Sequence, residues 1–261
     1  YSKLGNRTGG RTFHAPGQPQ DRGALSLPIA VLASGDGSTF EAIATLPQAP
    51  YHVALLLSDQ PQAFVLRRAQ RLGIKTAVLP RQNYPDRPTH EAAMVDCLQD
   101  HGVAQVALAG YMRIVGEVFL DAFGQGHAWN THPSLLPAYP GLDTHRRVLQ
   151  AGEHEHGCTI HVVDSTLDGG PIIAQARLSI QPHEQMAQLE QRIKRLEQRL
   201  YPMLLAALAS ETLVIDKQGM QWDGQPLAKP LLFQETDPLF QEPSCPTGMV
   251  SSPARQPAQT P

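Results

Sequence analysis

The sequence predicts an α/β fold in which helices flank a mostly parallel, twisted sheet and a long helix lies toward the C-terminal end. Short runs of β-branched and aliphatic residues alternate with helix-like stretches along most of the chain, and this alternation is typical of βαβ units. Between about 183 and 209, apolar residues recur every three or four positions, which indicates one helix with a core-facing side. A chain of 261 residues can form one such domain or two small ones.

Each strand is predicted from an apolar run that stands between turn residues or helical patterns. These runs lie at 28–33, 52–57, 76–79, 103–108, 128–130, 158–163 and 172–178. The first two are almost wholly aliphatic, as expected of strands buried on both faces of a parallel sheet. The run at 128–130 should end at the carboxyl edge, where α/β sheets place their sites. The last two runs look like a strand pair with a loop around Asp168 between them.

Helices are predicted in the gaps between these strands, at 38–46, 61–72, 88–100, 142–151 and 183–209. The apolar stripe of the last helix consists of Met186, Leu189, Ile193, Leu196, Leu200, Leu204 and Leu208. A neighbouring stripe of Glu190, Lys194, Glu197 and Tyr201 has the same spacing, and such a stripe is usually a solvated charged face.

Composition excludes several classes of protein. Lysine and arginine number 21 against 24 aspartates and glutamates, a net charge of −3, so nothing indicates a nucleic-acid or membrane surface. No apolar run approaches the ~20 residues that a bilayer span needs. Cys97, Cys158 and Cys245 lie far apart without a Cys-x-x-Cys pair, which argues against a disulfide framework or a zinc knuckle. We therefore expect a cytoplasmic enzyme.

The two ends differ in composition from the middle. Residues 1–26 are rich in Gly, Arg, Gln and Ser, and residues 229–261 collect Pro, Gln, Ser and Thr. Both stretches are predicted to be disordered tails around a domain at 27–228. The first stretch also has no apolar core of a signal peptide.

One motif combines an amide, an imidazole and a carboxylate. The run from Ala128 to Pro137 contains Asn130 and His132, which lie on the same side if the chain is extended there. Asp168 follows in Leu-Asp-Gly-Gly-Pro. Taken singly, each stretch is more typical of ordinary structure, and the second reads as a turn. Together the three groups suffice for acyl transfer to an amine.

A glycine-rich turn follows the first predicted strand and opens a helix. It reads Ser-Gly-Asp-Gly-Ser-Thr-Phe at 34–40, and backbone N–H groups at such a turn can bind an anion. A tight structural turn is an equally good interpretation. Phe40 stands where the dinucleotide fingerprint wants a third glycine and no Walker lysine follows, so neither NAD nor ATP is favoured.

Three stretches, taken in order, carry a family resemblance. They are Asn-Thr-His-Pro-Ser-Leu-Leu-Pro-Ala-Tyr-Pro-Gly-Leu-Asp-Thr-His-Arg at 130–146, Glu-His-Gly-Cys-Thr-Ile-His at 155–161 and Leu-Asp-Gly-Gly-Pro at 167–171. The chain closely resembles the phosphoribosylglycinamide formyltransferases, folate-dependent enzymes of purine synthesis, from about Pro28 to about Leu227. The resemblance implies a single Rossmann-like formyltransferase domain that transfers the formyl group of 10-formyltetrahydrofolate to glycinamide ribonucleotide.

The resemblance also implies roles for individual residues. The catalytic residues would be Asn130, His132 and Asp168. The substrate's phosphoribosyl and glycinamide portion would lie on Gly37, Ser38, Thr39 and Glu197. The folate would contact Arg87, Met112, Arg113, Ile114, Val115 and Asn130. Without the resemblance, Met112 to Val115 would be read as packing and Arg87 as a solvated loop residue. Thr39 stands where the family usually has Asn, and Gln198 where it often has His.

The resemblance implies direct attack of the amine on the formyl carbon, with the oxyanion stabilised by Asn130 and His132 and the proton moved with help from Asp168. No metal or covalent nucleophile is required. Cys158 lies in a predicted strand interior, which makes it a poor nucleophile. His145, His154, His156 and His161 do not show the spacing of a zinc site. The partners would be the two small molecules, without nucleic acid or membrane, and the protein a monomer or a homodimer.

Three rival functions stay open to test. A formyltetrahydrofolate hydrolase would carry an added N-terminal domain, for which residues 1–26 are too few. A methionyl-tRNA formyltransferase would need a C-terminal nucleic-acid-binding domain, and the segment after Lys229 is short and not basic. A binding protein without turnover would keep the same pocket.

Overall fold

The structure is a computed structural model that describes residues 26–216, 219–237 and 240. Its strands are β1 (Leu27–Leu32), β2 (Tyr51–Ser58), β3 (Thr76–Val78), β4 (Gln105–Leu108), β5 (Ala128–His132), β6 (Glu155–Val162), β7 (Ile172–Ser179), β8 (Leu213–Asp216), β9 (Gly219–Trp222), β10 (Gln225–Pro226) and β11 (Leu231–Gln234). Its helices are α1 (Ser38–Ala44), α2 (Phe64–Arg71), α3 (Arg87–Asp100), α4 (Glu117–Phe123), α5 (Thr144–Ala151) and α6 (Met186–Ala209). The described helices include none that is long and apolar enough to cross a membrane.

Eight strands form one sheet in the order β11-β7-β6-β5-β4-β1-β2-β3, and β10-β9-β8 form a small second sheet. Five neighbouring strands of the large sheet are parallel, in the order β5, β4, β1, β2 and β3. Strand β6 runs antiparallel to both of its neighbours, and β11 is parallel to β7. Because β6 is antiparallel to β5, it ends beside Ala128 at the start of β5, and the loop after it begins there. The predicted α/β class, with a mostly parallel sheet, flanking helices and a long C-terminal helix, is confirmed.

Helices cover both faces of the sheet, which explains why the central strands are apolar throughout. Along β1, Ile29 and Val31 belong to the core cluster that includes α1 and α6, while Ala30 and Leu32 belong to the cluster with α3 and α4. This alternation follows from the two-residue period of a strand. The first cluster is the larger one and fixes α6 against the sheet.

Helix α6 begins and packs as its sequence dictates, with one exception. Gln185 and Gln188 form a reciprocal capping box, so the helix starts at residue 186 rather than at the predicted 183. The stripe from Leu189 to Leu204 is buried. Met186 departs from the prediction, because it is 43% exposed and lies outside the core.

The region after α6 needs the largest correction. Strands β8, β9 and β10 form the small sheet and residues 231–234 form β11, although a tail was expected from 229 onward. β11 pairs with β7, and Arg192 of α6 binds Glu235 just beyond it. These partners lie far away in the sequence, so a Pro- and Gln-rich run does not reveal them. Residues 1–25 and 241–261 lie outside the described residues, and the tails expected there stay predictions.

Helix α4 was also missed. It spans only seven residues after Gly116, which is too short for a periodic pattern to stand out.

Candidate active site

Strand β5 places the amide and the imidazole of the motif on one side of the sheet. Asn130 and His132 line a cavity of about 780 Å³ at the carboxyl edge. Thr131, between them, donates a hydrogen bond to Glu197 of α6 at 2.9 Å. Farther back along the strand, the carbonyl of Trp129 accepts one from Tyr201 at 2.7 Å. Asn130 and His132 therefore line one cavity, as expected of residues two apart in a strand, and α6 anchors the strand through bonds to Thr131 and Trp129.

His161 of β6 orients the Asn130 carboxamide. Its Nδ1 lies 2.9 Å from the Val162 carbonyl, which can only accept, so Nδ1 carries the hydrogen. Its Nε2 then accepts from Asn130 Nδ2 at 3.2 Å. Burial lowers the pKa of His161 and favours this neutral form. The second hydrogen of the Asn130 amide nitrogen is left for a group in the cavity.

His132 and Asp168 form a pair on the same cavity wall. His132 Nε2 donates to the Tyr139 carbonyl at 2.9 Å, so Nδ1 is the nitrogen that faces Asp168 Oδ2, at 3.4 Å. The same carboxylate oxygen accepts the Gly141 N–H at 2.8 Å. Asp168 comes from the loop between β6 and β7, which begins beside Ala128 and folds back so that the carboxylate reaches His132 and lies 3.8 Å from His161 Nε2. A proton between Nδ1 and Oδ2 is thus within reach of both groups.

The glycine-rich turn forms another wall of the cavity. Gly37, Ser38 and Thr39 all line it. Gly37 has φ +78°, and a Cβ there would lie 2.2 Å from a Val65 methyl carbon, so only glycine fits. Arg68 of α2 binds the Asp36 carboxylate at 3.0 and 3.2 Å and also its carbonyl at 2.9 Å. This ion pair turns a negative side chain of the turn toward α2.

Glu197 lines the same cavity and is only 8% exposed. Burial raises its pKa to about 7, against the hydrogen bond from Thr131, which lowers it. Near neutral pH the carboxyl group can therefore donate as well as accept a hydrogen bond.

The segment from Met112 to Val115 forms the apolar side of the cavity. Met112 is 65% and Ile114 59% exposed, although both are large and apolar. Arg113 binds the buried Asp59 at 2.5 Å, and Ser34 donates to Asp59 at 2.6 Å while accepting the Met112 N–H at 3.0 Å. Burial acts to raise the pKa of Asp59, but the bonds from Ser34 and Arg113 hold it below its usual range. This network joins the segment to the glycine-rich turn.

Arg87 is the one expected site residue that does not line the main cavity. It lies on an adjoining cavity of about 320 Å³ that shares Met112 to Val115 with the main one. Its Nε donates to Glu91 at 2.7 Å, and its guanidinium packs over Gly116. The ion pair with Glu91, four residues on in α3, directs the side chain to that side.

Several cavity residues were not singled out by the sequence. They come from loops, from α5 and from α6, and include Gly141, Leu142, Arg146, Asp164, Thr166, Met186, Glu190 and Lys194. Lys194 pairs with Glu190 at 3.2 Å, which matches the interpretation of their stripe as a solvated charged face. The spacing of these residues does not show that both of them line the cavity. Leu142 is 70% exposed although it is large and apolar, and only the structure reveals this sign that it belongs to the cavity wall.

Two of the four histidines for which the sequence argued against a zinc site lie in contact with each other. His145 and His156 contact each other through Nδ1 and Nε2 at 3.0 Å, and burial lowers both of their pKa values, that of His156 to about 3. Among the described residues, no three His, Cys, Asp or Glu side chains are grouped to hold a metal ion.

Comparisons with known proteins match this geometry. The family model described as formyl transferase matches residues 27–205. The phosphoribosylglycinamide formyltransferase of Bacillus subtilis (strain 168) is 43% identical over 183 residues, which cover 69% of this chain and 93% of that protein. That of Haemophilus influenzae is 35% identical over 204 residues, 77% of this chain and 96% of the relative.

A solved structure is similar over the same region. The phosphoribosylglycinamide formyltransferase of Coxiella burnetii, in complex with CHES, superimposes with a TM-score of 0.75 at 38% identity, covering 79% of this chain and 99% of that one. The family model spans more than half of this chain, and the relatives are matched over nearly their whole length. The chain therefore belongs to the formyl transferase family, among the phosphoribosylglycinamide formyltransferases.

Proposed function

We propose that this protein transfers the formyl group of 10-formyltetrahydrofolate to the amine of glycinamide ribonucleotide. The observation that carries the proposal is the convergence of Asn130, His132 and Asp168 on one cavity that also contains the glycine-rich turn and Glu197. The names of the relatives describe this same reaction.

The reaction proceeds by direct attack. The neutral amine forms a bond to the formyl carbon, and the carbonyl oxygen becomes an oxyanion. When the intermediate collapses, the bond from that carbon to the folate nitrogen breaks, and a proton passes from the attacking nitrogen to the departing one. The products are the formylated ribonucleotide and tetrahydrofolate, so atoms balance without a metal or a covalent enzyme intermediate.

Asn130 and the pair His132–Asp168 have different tasks in this step. The second amide hydrogen of Asn130 is free to donate to the oxyanion, because the first binds His161. His132 Nε2 is held by the Tyr139 carbonyl, so its contribution comes through Nδ1. A proton held there puts positive charge beside the oxyanion and is within reach of Asp168 for transfer.

The walls of the cavity suit the two substrates. Backbone N–H groups at Gly37, Ser38 and Thr39 suit the phosphate, and Lys194 adds a positive charge on the facing helix. Glu197 suits the ribose hydroxyls or the glycinamide. The exposed apolar side chains of Met112 and Ile114 suit the flat folate ring.

The adjoining cavity extends this folate site. It is lined by three arginines, Arg81, Arg87 and Arg113, and by the apolar residues of the segment from Met112 to Val115. The carboxylates at the far end of a folate would therefore meet cations there. This placement retains the expected folate contact of Arg87, through a neighbouring cavity.

We also infer that both substrates are free small molecules and that the enzyme works in the cytoplasm without nucleic acid, as a monomer or a homodimer. The net charge of −3 supports this inference, since it provides no general attraction for polyanions.

The test follows folate deformylation by absorbance with purified protein and 10-formyltetrahydrofolate, with and without glycinamide ribonucleotide. Asn130→Ala and Asp168→Asn are compared with Asp121→Asn, an exposed control on α4. We expect turnover that requires the ribonucleotide and falls ~100- to 1000-fold in Asn130→Ala.

Other outcomes decide between the rivals. Turnover without the ribonucleotide would identify a hydrolase. No turnover, with both ligands still bound, would identify a binding protein. A wild-type rate in both site variants would refute the assigned roles.

A further inference from the structure

The loop at 138–143 supplies a backbone partner to each member of the proposed catalytic pair. The Tyr139 carbonyl accepts from His132 Nε2 at 2.9 Å, and the Gly141 N–H donates to Asp168 Oδ2 at 2.8 Å. The position of this short loop therefore decides how the imidazole and the carboxylate face each other.

The loop adopts a conformation that local preferences oppose. Tyr139 has φ +56° and Asp143 has φ +57°, both in the left-handed region, and Gly141 between them has φ +78°. For residues other than glycine this region costs about 1–2 kcal/mol each. Contacts from outside the loop must offset that cost.

Arg147 of α5 provides such contacts. Its Nη1 donates to the Pro140 carbonyl at 2.6 Å and lies 3.2 Å from the Leu142 carbonyl. Its guanidinium carbon lies 5.4 Å from the centroid of the Tyr139 ring, within the range of a cation–π contact. Two backbone groups of the loop are thus bound to the catalytic pair and two to Arg147, while the Ser134 hydroxyl donates to the carbonyls of Ala138 at 2.7 Å and Tyr139 at 3.2 Å.

We propose that Arg147 is a positioning residue that holds the loop at 139–142 in the conformation that orients His132 against Asp168. It does not line the main cavity, unlike its neighbour Arg146, so it acts through the loop and not on a ligand. The role rests on the proposed function. Lysine cannot replace it, because one ammonium group lacks the planar guanidinium that stacks on Tyr139 while bonding the loop carbonyls.

A second hold on Tyr139 provides a discriminating variant. The Tyr139 hydroxyl donates to Glu153 at 2.6 Å. Glu153→Ala, at an exposed position, removes this bond and leaves the Tyr139 ring beneath Arg147. We expect this variant to keep most of the activity, whereas Arg147→Ala loses it.

The kinetic test compares Arg147→Ala, Arg147→Lys, Glu153→Ala and the exposed control Arg67→Ala on α2. We expect kcat to fall about 10- to 100-fold in both Arg147 variants, with KM for either substrate changed by less than about threefold. The pH dependence of kcat should change in the same variants. Added guanidinium ion should restore part of the activity of Arg147→Ala.

A measurement independent of turnover uses protein labelled with ¹⁵N in histidine. His132 is assigned by comparison with His132→Gln, and its spectrum in the wild type should show the hydrogen on Nε2. In Arg147→Ala we expect a mixture of tautomers or a broadened signal. Melting curves of every variant show whether a lower rate reflects only a smaller folded fraction.

The outcomes separate the two proposals. An imidazole spectrum and a pH profile that match the wild type would overturn the role of Arg147, as would a loss of kcat fully explained by unfolding. If the wild type transfers no formyl group, the proposed function fails, and the imidazole spectrum alone decides on Arg147.

Discussion

Replacing Glu197 by glutamine should stabilise the protein above neutral pH while weakening substrate binding. Burial raises the pKa of Glu197 from its ordinary 4.5 to about 7. A carboxyl whose pKa is raised by folding favours the folded state at low pH, and this contribution disappears as the pH rises through the folded pKa. The full change, between pH 4.5 and above pH 7, is about 3 kcal/mol.

The variant Glu197→Gln has no carboxyl to ionise and keeps an oxygen that can accept from Thr131. Its free energy of unfolding should therefore exceed that of the wild type by about 3 kcal/mol at pH 8 and differ little at pH 4.5. Urea denaturation at the two pH values measures this difference, provided that the m-values agree. Asp121→Asn, an exposed change on α4, serves as the control and should stay within about 0.5 kcal/mol at both pH values.

At pH 8, where Glu197 is ionised, the same variant should raise KM for glycinamide ribonucleotide about 10- to 100-fold, as expected when a charged hydrogen bond is lost. A stability difference that is equal at pH 4.5 and pH 8 would refute the assignment of a raised pKa. An unchanged KM would remove Glu197 from the substrate site.

Two further predictions concern the glycine-rich turn and the histidine pair. Arg68→Ala should raise KM for glycinamide ribonucleotide about tenfold, because the Asp36 carboxylate loses its partner. Asp36→Asn in that background should recover part of the loss. Additive effects in this double-mutant cycle would contradict the coupling between Arg68 and Asp36. Burial lowers the pKa of His156 to about 3, so folding keeps it neutral and the stability gained above pH 6.5 is lost as the pH falls. The cost at pH 5 is about 2 kcal/mol of unfolding free energy. Urea titrations should show that His156→Gln loses less stability between pH 7 and pH 5 than the wild type does. Equal losses in the two proteins would show that the His145–His156 contact does not resist protonation.

The sequence predicts those features that depend on local spacing. The two-residue period of a strand was enough to place Asn130 and His132 on one side of β5. The three- to four-residue spacing from Leu189 to Leu204 was enough to predict the buried face of α6. Asp168 could be joined to them only through the resemblance, because its approach depends on how the loop after β6 folds back toward His132.

The features that the sequence did not reveal depend on tertiary partners. β11 exists because β7 offers an open edge and Arg192 binds Glu235. Arg87 lies on the adjoining cavity because Glu91 holds it there. Lys194 and Glu190 satisfy the pattern of a solvated helix face, and only the folded chain shows that a cavity lies in front of them.

The hydrogen bond from Thr131 to Glu197 has a consequence for protein synthesis. It joins residues 66 positions apart, and the larger face of the sheet is buried by the same helix that carries Glu197. A nascent chain that still lacks α6 therefore exposes a broad apolar surface and possesses no complete active site. Because domains fold as units, we expect catalytic competence to arise in one step, once the ribosome has released the whole of α6, and fragments that end before it to have no residual activity.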